Sequence, residues 1–320
     1  MEVQTYKYTT IWNAGKDANG ISNLSPPQTA SVRIIVGPTI KLAELTALAK
    51  AASRAPRVRL VIVGPSNPAW LSLRLFKNLV RLQAYGLGAT NLEDLQHVPN
   101  DIRELELGID EKPNLFADTL SRFTSLTRLT LSGKLTDLDI ARFLKLTDLS
   151  LCYFPNLELK PLLEHKSLTA LKVQHGSIMT IPGPKLTSKL QKLNLWKIKG
   201  LEDLNWLGSL TSLVSLELGG LPNIQSLPEL AKLKGLTYIK LDQLKSLTSL
   251  ASITKLRALA RLHVYGMNQI PIEDYRALAK SSSITEVTPG YSSKSKNEQV
   301  GRELGLPRVQ YEPIYDITVF

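Results

Sequence analysis

Four histidines and one cysteine are the residues of this chain with the most direct capacity for chemistry: His97, His165, His175, His263 and Cys152. A zinc site needs several such ligands at short, fixed spacing, as in H-x-x-x-H or C-x-x-C pairs. None of the four histidines stands at that spacing, so neither a metal nor another cofactor is expected. No G-x-S-x-G nucleophile turn and no G-x-x-x-x-G-K-[ST] phosphate loop occurs. Cys152 and His175 lie 23 positions apart, one period of the pattern described next. A thiol–imidazole pair across neighbouring strands is the one nucleophilic arrangement this permits. Coincidence within a regular array explains the same spacing and is the preferred reading. Glu104, Glu106 and Asp148 can be drawn as a carboxylate cluster, but they read better as a solvated face, because nothing suggests a pocket that would perturb them. Enzymatic activity is therefore not expected.

The elements that must position these residues repeat along the chain. Nine segments begin with an apolar-x-x-apolar-x-apolar pattern. They are LVRLQAYG from Leu79, IRELELGI from Ile102, LTRLTLSG from Leu126, LTDLSLCY from Leu146, LTALKVQH from Leu168, LQKLNLWK from Leu190, LVSLELGG from Leu213, LTYIKLDQ from Leu236 and LARLHVYG from Leu259. VRLVIVGP from Val58 fits less cleanly, SVRIIVGP from Ser31 echoes it, and ITEVTPGY from Ile284 carries Pro289 in the third apolar slot. The second and third apolar positions are two apart, so they share one face of a short strand. A unit of about 23 residues cannot bury that face alone, so neighbours must stack. Stacking predicts one buried column of Leu193, Leu216, Ile239 and Leu262, and a second of Leu195, Leu218, Leu241 and Val264. Between strands, apolar residues recur every third position, as in Leu244, Leu247, Leu250 and Ile253. That spacing suits 3₁₀-like turns or an extended return segment.

The pattern resembles the leucine-rich-repeat family, with its L-x-x-L-x-L motif, over roughly residues 31 to 291. The resemblance implies an α/β leucine-rich-repeat solenoid. Its curved parallel β-sheet would lie on the concave face, with 3₁₀, irregular and some helical segments on the convex face. One departure matters. The family often carries Asn or Cys after the strand, whereas the comparable slot here holds Phe154, Ile198, Leu221, Leu244 and Met267. Packing must then stabilise the turn. Irregular bacterial repeat proteins are the closer likeness, because receptor types usually carry cysteine-rich caps.

The expected organisation is an N-terminal cap or extension at 1–30, a solenoid of about eleven repeats at 31–291, and a C-terminal cap at 292–320. Caps are expected because a solenoid exposes its apolar interior at both ends. TIKLAELTALAKAASRA reads as a helix between two strands, VQTYKYTTIW as a capping strand or hairpin, IEDYRALAKSS as a further helix, and the final ITVF as a closing strand. SSKSKNEQV reads as a polar stretch or the start of a short helix.

Compartment and partner follow from composition. One cysteine in 320 residues forms no internal disulfide, no secretory signal is evident, and no apolar run is long enough to span a membrane. A cytoplasmic monomer is expected. A net charge of +11 favours acidic partners. The non-core strand positions, with the two residues after each strand, should form the binding surface. Six of the chain's fourteen Tyr and Trp residues fall there, against about two from even scatter, and these are the side chains a wet interface uses. They are Tyr85, Tyr153, Trp196, Tyr238, Tyr265 and Tyr291. The candidate contact set is Tyr85, Tyr153, Lys172, His175, Lys192, Trp196, Lys197, Tyr238, Lys240, Asp242, Arg261, His263 and Tyr265, centred on Trp196. The competing reading of Trp196 is a ring packed over a neighbouring loop. The expected function is non-enzymatic binding of a partner protein with an acidic surface. An immunity or inhibitor protein against a cognate toxin is the alternative. Nucleic acid ranks lower, because the face carries both charge signs where a phosphate groove should be one-sided.

Overall fold

A computed structural model describes residues 2–5, 9–14, 29, 31–64, 70–87, 95–109, 120–133 and 138–305. The expected closing strand ITVF lies outside these residues. The chain divides into two compact units, Met1–Pro155 and Asn156–Phe320.

In the first unit, β1 (Glu2–Thr5) and β2 (Thr9–Ala14) pair antiparallel. The strands β2, β3 (Ser31–Val36), β4 (Val58–Val63), β5 (Leu79–Leu87), β6 (Glu104–Ile109), β7 (Arg128–Ser132) and β8 (Asp148–Cys152) then run parallel in sequence order. Trp12, Ile34, Leu60, Leu82, Leu105, Leu129 and Leu149 are successive register partners. All are buried. Between β3 and β4 lies α1 (Leu42–Ala52), which buries Leu45, Leu48, Ala49 and Ala52 at helical spacing. Glu44 starts this helix by accepting a hydrogen bond from the Lys41 N–H at 2.7 Å.

The second unit opens with the short β9 (Leu157–Glu158) and the helical turn α2 (Leu159–Leu163). Its main strands are β10 (Ala170–Gln174), β12 (Lys192–Trp196), β13 (Ser215–Gly219), β14 (Tyr238–Asp242), β15 (Arg261–Tyr265) and β16 (Glu286–Thr288), all parallel. A separate β11 (Ile178–Thr180) pairs with β9. Leu193, Leu216, Ile239 and Leu262 pair in register, as do Leu195, Leu218, Leu241 and Val264, and none is more than 1% exposed. Both expected columns therefore exist. The three-residue spacing resolves into 3₁₀ turns at Asn205–Ser209 and Ala251–Lys255 and an extended path elsewhere. The unit's last repeats carry α3 (Ile272–Leu278) and α4 (Lys294–Leu304). Arg276 and Glu303 form a bidentate ion pair between them.

Two backbone ladders space the repeats. The residue before each strand accepts two successive N–H groups from the next repeat: Thr169 O from Gln191 and Lys192, Val214 O from Thr237 and Tyr238, Thr237 O from Ala260 and Arg261. From β8 to β15 the residue after each main strand takes a left-handed conformation, as at Tyr153 (φ 66°), His175 (φ 52°), Lys197 (φ 52°) and Gln243 (φ 53°). Its N–H donates to the last strand carbonyl of the next repeat: His175 to Trp196, Lys197 to Gly219, Gln243 to Tyr265. The post-strand slot is buried at Phe154, Ile198, Leu221, Leu244 and Met267. Packing thus fills the place of the family's asparagine. Amide donors from the following repeat add to it, as Gln269 Nε2 does at the carbonyls of Leu244 and Leu247 (2.8 and 2.9 Å).

Candidate functional site

Strand alternation leaves three outward positions per repeat, and the in-register pairing aligns them in columns. In the second unit the central column runs Lys172, Asn194, Glu217, Lys240, His263 and Thr288. Flanking it are Lys192, Ser215, Tyr238, Arg261 and Glu286 on one side, and Gln174, Trp196, Gly219, Asp242 and Tyr265 on the other. Eleven of the thirteen candidate contact residues, from Lys172 to Tyr265, belong to this unit. Tyr85 and Tyr153 belong to the first.

The far end of this face is a preordered aromatic and cationic cluster. His263 stands edge-on to Tyr238 and to Tyr265, with ring centroids 5.4 and 6.2 Å apart. The Arg261 guanidinium lies 5.0 Å from the Tyr238 ring, and Lys240 Nζ lies 5.4 Å from the Tyr265 ring. His263 Nε2 and Glu286 Oε1 are 2.8 Å apart, which fixes the imidazole. Burial, with Glu217 nearby, pushes the Tyr238 hydroxyl well above its usual range, and burial raises that of Tyr265. Both therefore stay neutral hydroxyls. Burial also raises the Asp242 carboxyl, against the opposing pull of Lys240.

Trp196 sits differently from the expectation of a free-standing anchor. A Cβ built at Gly219 would lie 2.0 Å from two atoms of the indole. The ring therefore lies across the bare glycine of the neighbouring strand and is half-buried. Packing and partial exposure coexist, so the ring presents one face while the other rests on its own sheet. Lys197 covers Gly220 in the same way, with its Cγ in the space a Cβ would need. His175 follows β10, and burial and the Lys197 charge lower its pKa.

Sequence reasoning missed Asn194, Glu217 and Glu286. Asn194 is 6% exposed, and its Nδ2 donates to Glu217 Oε2 at 2.8 Å. Its Oδ1 has no hydrogen-bond partner among the described residues. A buried acceptor without a donor destabilises by about 1–3 kcal/mol. The spacing of 23 residues between Asn194 and Glu217 was the available signal.

The first unit's face is polar, and its carboxylates are held by arginines, while Arg33 Nε and Arg59 Nε are buried without a hydrogen-bond partner among the described residues. Arg81 pairs with Glu104 (3.3 Å) and Glu106 (3.1 Å), and Arg128 lies 3.8 Å from Glu104 and 3.9 Å from Asp148. Tyr85 donates to Glu106, which also accepts from Gln83 at 2.7 Å, and burial raises the Tyr85 hydroxyl to about 12. The three carboxylates are thus ion-paired. Tyr153 is 51% exposed. Tyr291 is buried instead, its hydroxyl donating to Ile270 O at 2.5 Å. Cys152 and His175 belong to different units. Among the described residues no cluster of three His, Cys, Asp or Glu could hold a metal, and no helix is long and apolar enough to cross a membrane.

Comparison with solved structures agrees with the stacked strands. An internalin (inlF) from Listeria monocytogenes matches with a TM-score of 0.56 and 21% identity, covering 88% of this chain and 81% of its own. The fold is that of a leucine-rich-repeat protein. The functional domain of InlJ from Listeria monocytogenes, described as including a cysteine ladder, matches at 16% identity with a TM-score of 0.47, over 88% of this chain and 67% of its own. A PEPR1–AtPEP1 structure matches at 15% identity with a TM-score of 0.46, over 87% and 43%. No family model matches the sequence, and no curated protein does.

Proposed function

We propose that this chain is a non-catalytic protein-binding module that grips a folded partner on the strand face of residues 156–305. The observation that carries this reading is the ordered cluster of Tyr238, His263 and Tyr265 with Arg261 and Lys240 over the rings. Tyr and Arg dominate energetic centres of protein interfaces because they offer large contact area and a polar end at small entropic expense. Here stacking has already removed much of their rotamer freedom, so less ordering remains for the moment of association.

The neighbouring half of the face supports the same reading. The half-exposed indole of Trp196 offers an apolar contact. Lys172, Lys192 and Lys197 favour carboxylates on the partner, and Glu217 and Asp242 favour a cation opposite them. The partner is then a protein surface rich in acidic groups with basic groups among them. A uniform phosphate backbone would meet Glu217, Asp242 and Glu286 as repulsion.

The test is a paired affinity capture from cells of the source organism. Wild-type protein and a Trp196→Ala/Tyr238→Ala variant are compared, with circular dichroism verifying equal folding. A specific protein retained by the wild type and reduced at least tenfold in the variant supports the strand face. Equal retention by both would remove it.

A further inference from the structure

A second surface lies where the return segments turn toward the strands. Three consecutive repeats of the second unit enclose a groove there of about 540 Å³. Pro184 and Leu186 form one wall, the 3₁₀ turn Asn205–Ser209 the floor, and the stretch from Pro228 to Lys232 the other wall. The groove has a local cause. The return segment at 181–188, IPGPKLTS, contains two prolines and a glycine and forms no helix beside that 3₁₀ turn. On the other side the chain approaches closely, since a Cβ at Gly208 would stand 2.9 Å from Glu229 O.

A row of cations continues from the groove along the repeat axis. Lys232, Lys255 and Lys280 each stand four positions before the first apolar residue of their repeats, Leu236, Leu259 and Ile284. Lys234 and Arg257 stand two before. In-register pairing of β14, β15 and β16 aligns these repeats. All five side chains are exposed. Glu229 is the one carboxylate lining the groove, and it is already engaged by Lys255 at 2.5 Å and by the Ala231 N–H at 3.2 Å.

We propose that this groove and cation row dock an extended acidic segment of another protein. One apolar side chain enters between Pro184, Leu186 and Pro228, and the carboxylates that follow lie along Lys232, Lys234, Arg257 and Lys280. An extended peptide places same-side residues about 7 Å apart and stacked strands lie about 5 Å apart, a mismatch that long lysine stems absorb. A peptide fits better than the other polyanions. No aromatic ring lines the groove to stack a base, and stacking is a principal source of affinity for single-stranded nucleic acid. A flat lipid surface cannot fill a recess between two prolines.

The probe is a fluorescein-labelled peptide of one leucine followed by alternating glutamates, read by fluorescence polarisation against the full chain. Saturable binding is expected. It should weaken at least tenfold when the leucine becomes serine, and at least tenfold in a Lys232→Glu/Lys234→Glu variant, which leaves the Glu229–Lys255 pair in place. A Trp196→Ala/Tyr238→Ala variant should bind the peptide normally, which separates this site from the strand face. Indifference to the leucine would reduce the surface to a non-specific polyanion binder and overturn the proposal. So would tighter binding of a single-stranded oligonucleotide or of anionic phospholipid vesicles, or an unchanged affinity in the charge-reversed variant.

Discussion

At the scale of single residues, the strand face holds side chains in positions that folding alone does not favour. Burial raises the Asp242 carboxyl above its ordinary value of 3.8, so its charged form is less comfortable in the folded chain than in the unfolded one. The sign follows: near neutral pH the ionised group subtracts stability, and the loss disappears as pH falls through the raised value, where the folded state takes up the proton first. An Asp242→Asn variant should therefore melt higher than wild type at pH 7. The gain should shrink toward zero below pH 3.8, as measured by calorimetry across a pH series. No gain at pH 7 would mean that Lys240 and Gln243 fully offset burial. Trp196 and Gly219 give a second residue-scale expectation. Gly219→Ala sets a methyl group inside the indole and should destabilise by about 1–3 kcal/mol, the usual range for overpacking. In a Trp196→Ala background the same change should be nearly neutral. Additive effects in that double-mutant cycle would show that the ring does not rest on the glycine. None of this contact was legible from residue types alone. The repeat spacing puts position 196 beside 219, but only the rotamer decides whether an indole stands free or lies down.

At the scale of the element, the repeat was legible almost throughout, because an apolar pattern of period two inside a unit of constant length leaves one way to bury the leucines. The columns through Leu193 and Leu195 follow from that alone. Legibility failed where backbone conformation rather than burial decides. From β8 to β15 the left-handed residue after each main strand is Gly at positions 220 and 266 but Tyr153, His175, Lys197 and Gln243 elsewhere, so residue type hides it. Left-handed geometry destabilises a non-glycine residue by about 1–2 kcal/mol. Gln243→Gly should then be neutral or stabilising by up to about 1 kcal/mol in chemical denaturation, once the added freedom of the unfolded chain is subtracted. A clear destabilisation would point to packing by the Gln243 stem, which lies within 3.2 Å of a Cβ at Gly266. The post-strand slot argues the opposite way. Leu244→Asn would install the residue common at this position in the repeat family. Yet it should destabilise by about 2–5 kcal/mol, as truncation of a buried leucine does. The reason is that Gln269 already occupies the turn carbonyls that an asparagine would seek. A neutral result would show that the slot can host either solution.

At the scale of the whole molecule, charge is unevenly distributed. Residues 156–305 hold 20 of the chain's 39 Lys and Arg but only 12 of its 28 Asp and Glu. The strand face does not account for this excess, since Lys172, Lys192, Lys240 and Arg261 are nearly matched there by Glu217, Asp242 and Glu286. The surplus sits instead on turns, the row from Lys232 to Lys280 among them. Like charges about 4 Å apart repel by roughly 1 kcal/mol in water and less at greater distance. Aligned cations on neighbouring repeats therefore subtract a little stability from the free protein. Removing two of them, by Lys234→Gln with Arg257→Gln, should raise the melting temperature by about 1–3 °C in low-salt buffer. The gain should fade in about 0.5 M NaCl, where the screening length drops to a few ångströms. Loss of stability at low salt would mean that these side chains are held by contacts other than the charges described above, and the row would then be structural. A salt-sensitive gain would mark a row kept despite its repulsion. That is the behaviour expected of cations whose counter-charges arrive on another molecule. It would set this edge apart from the strand face, where the opposite charges are already in place.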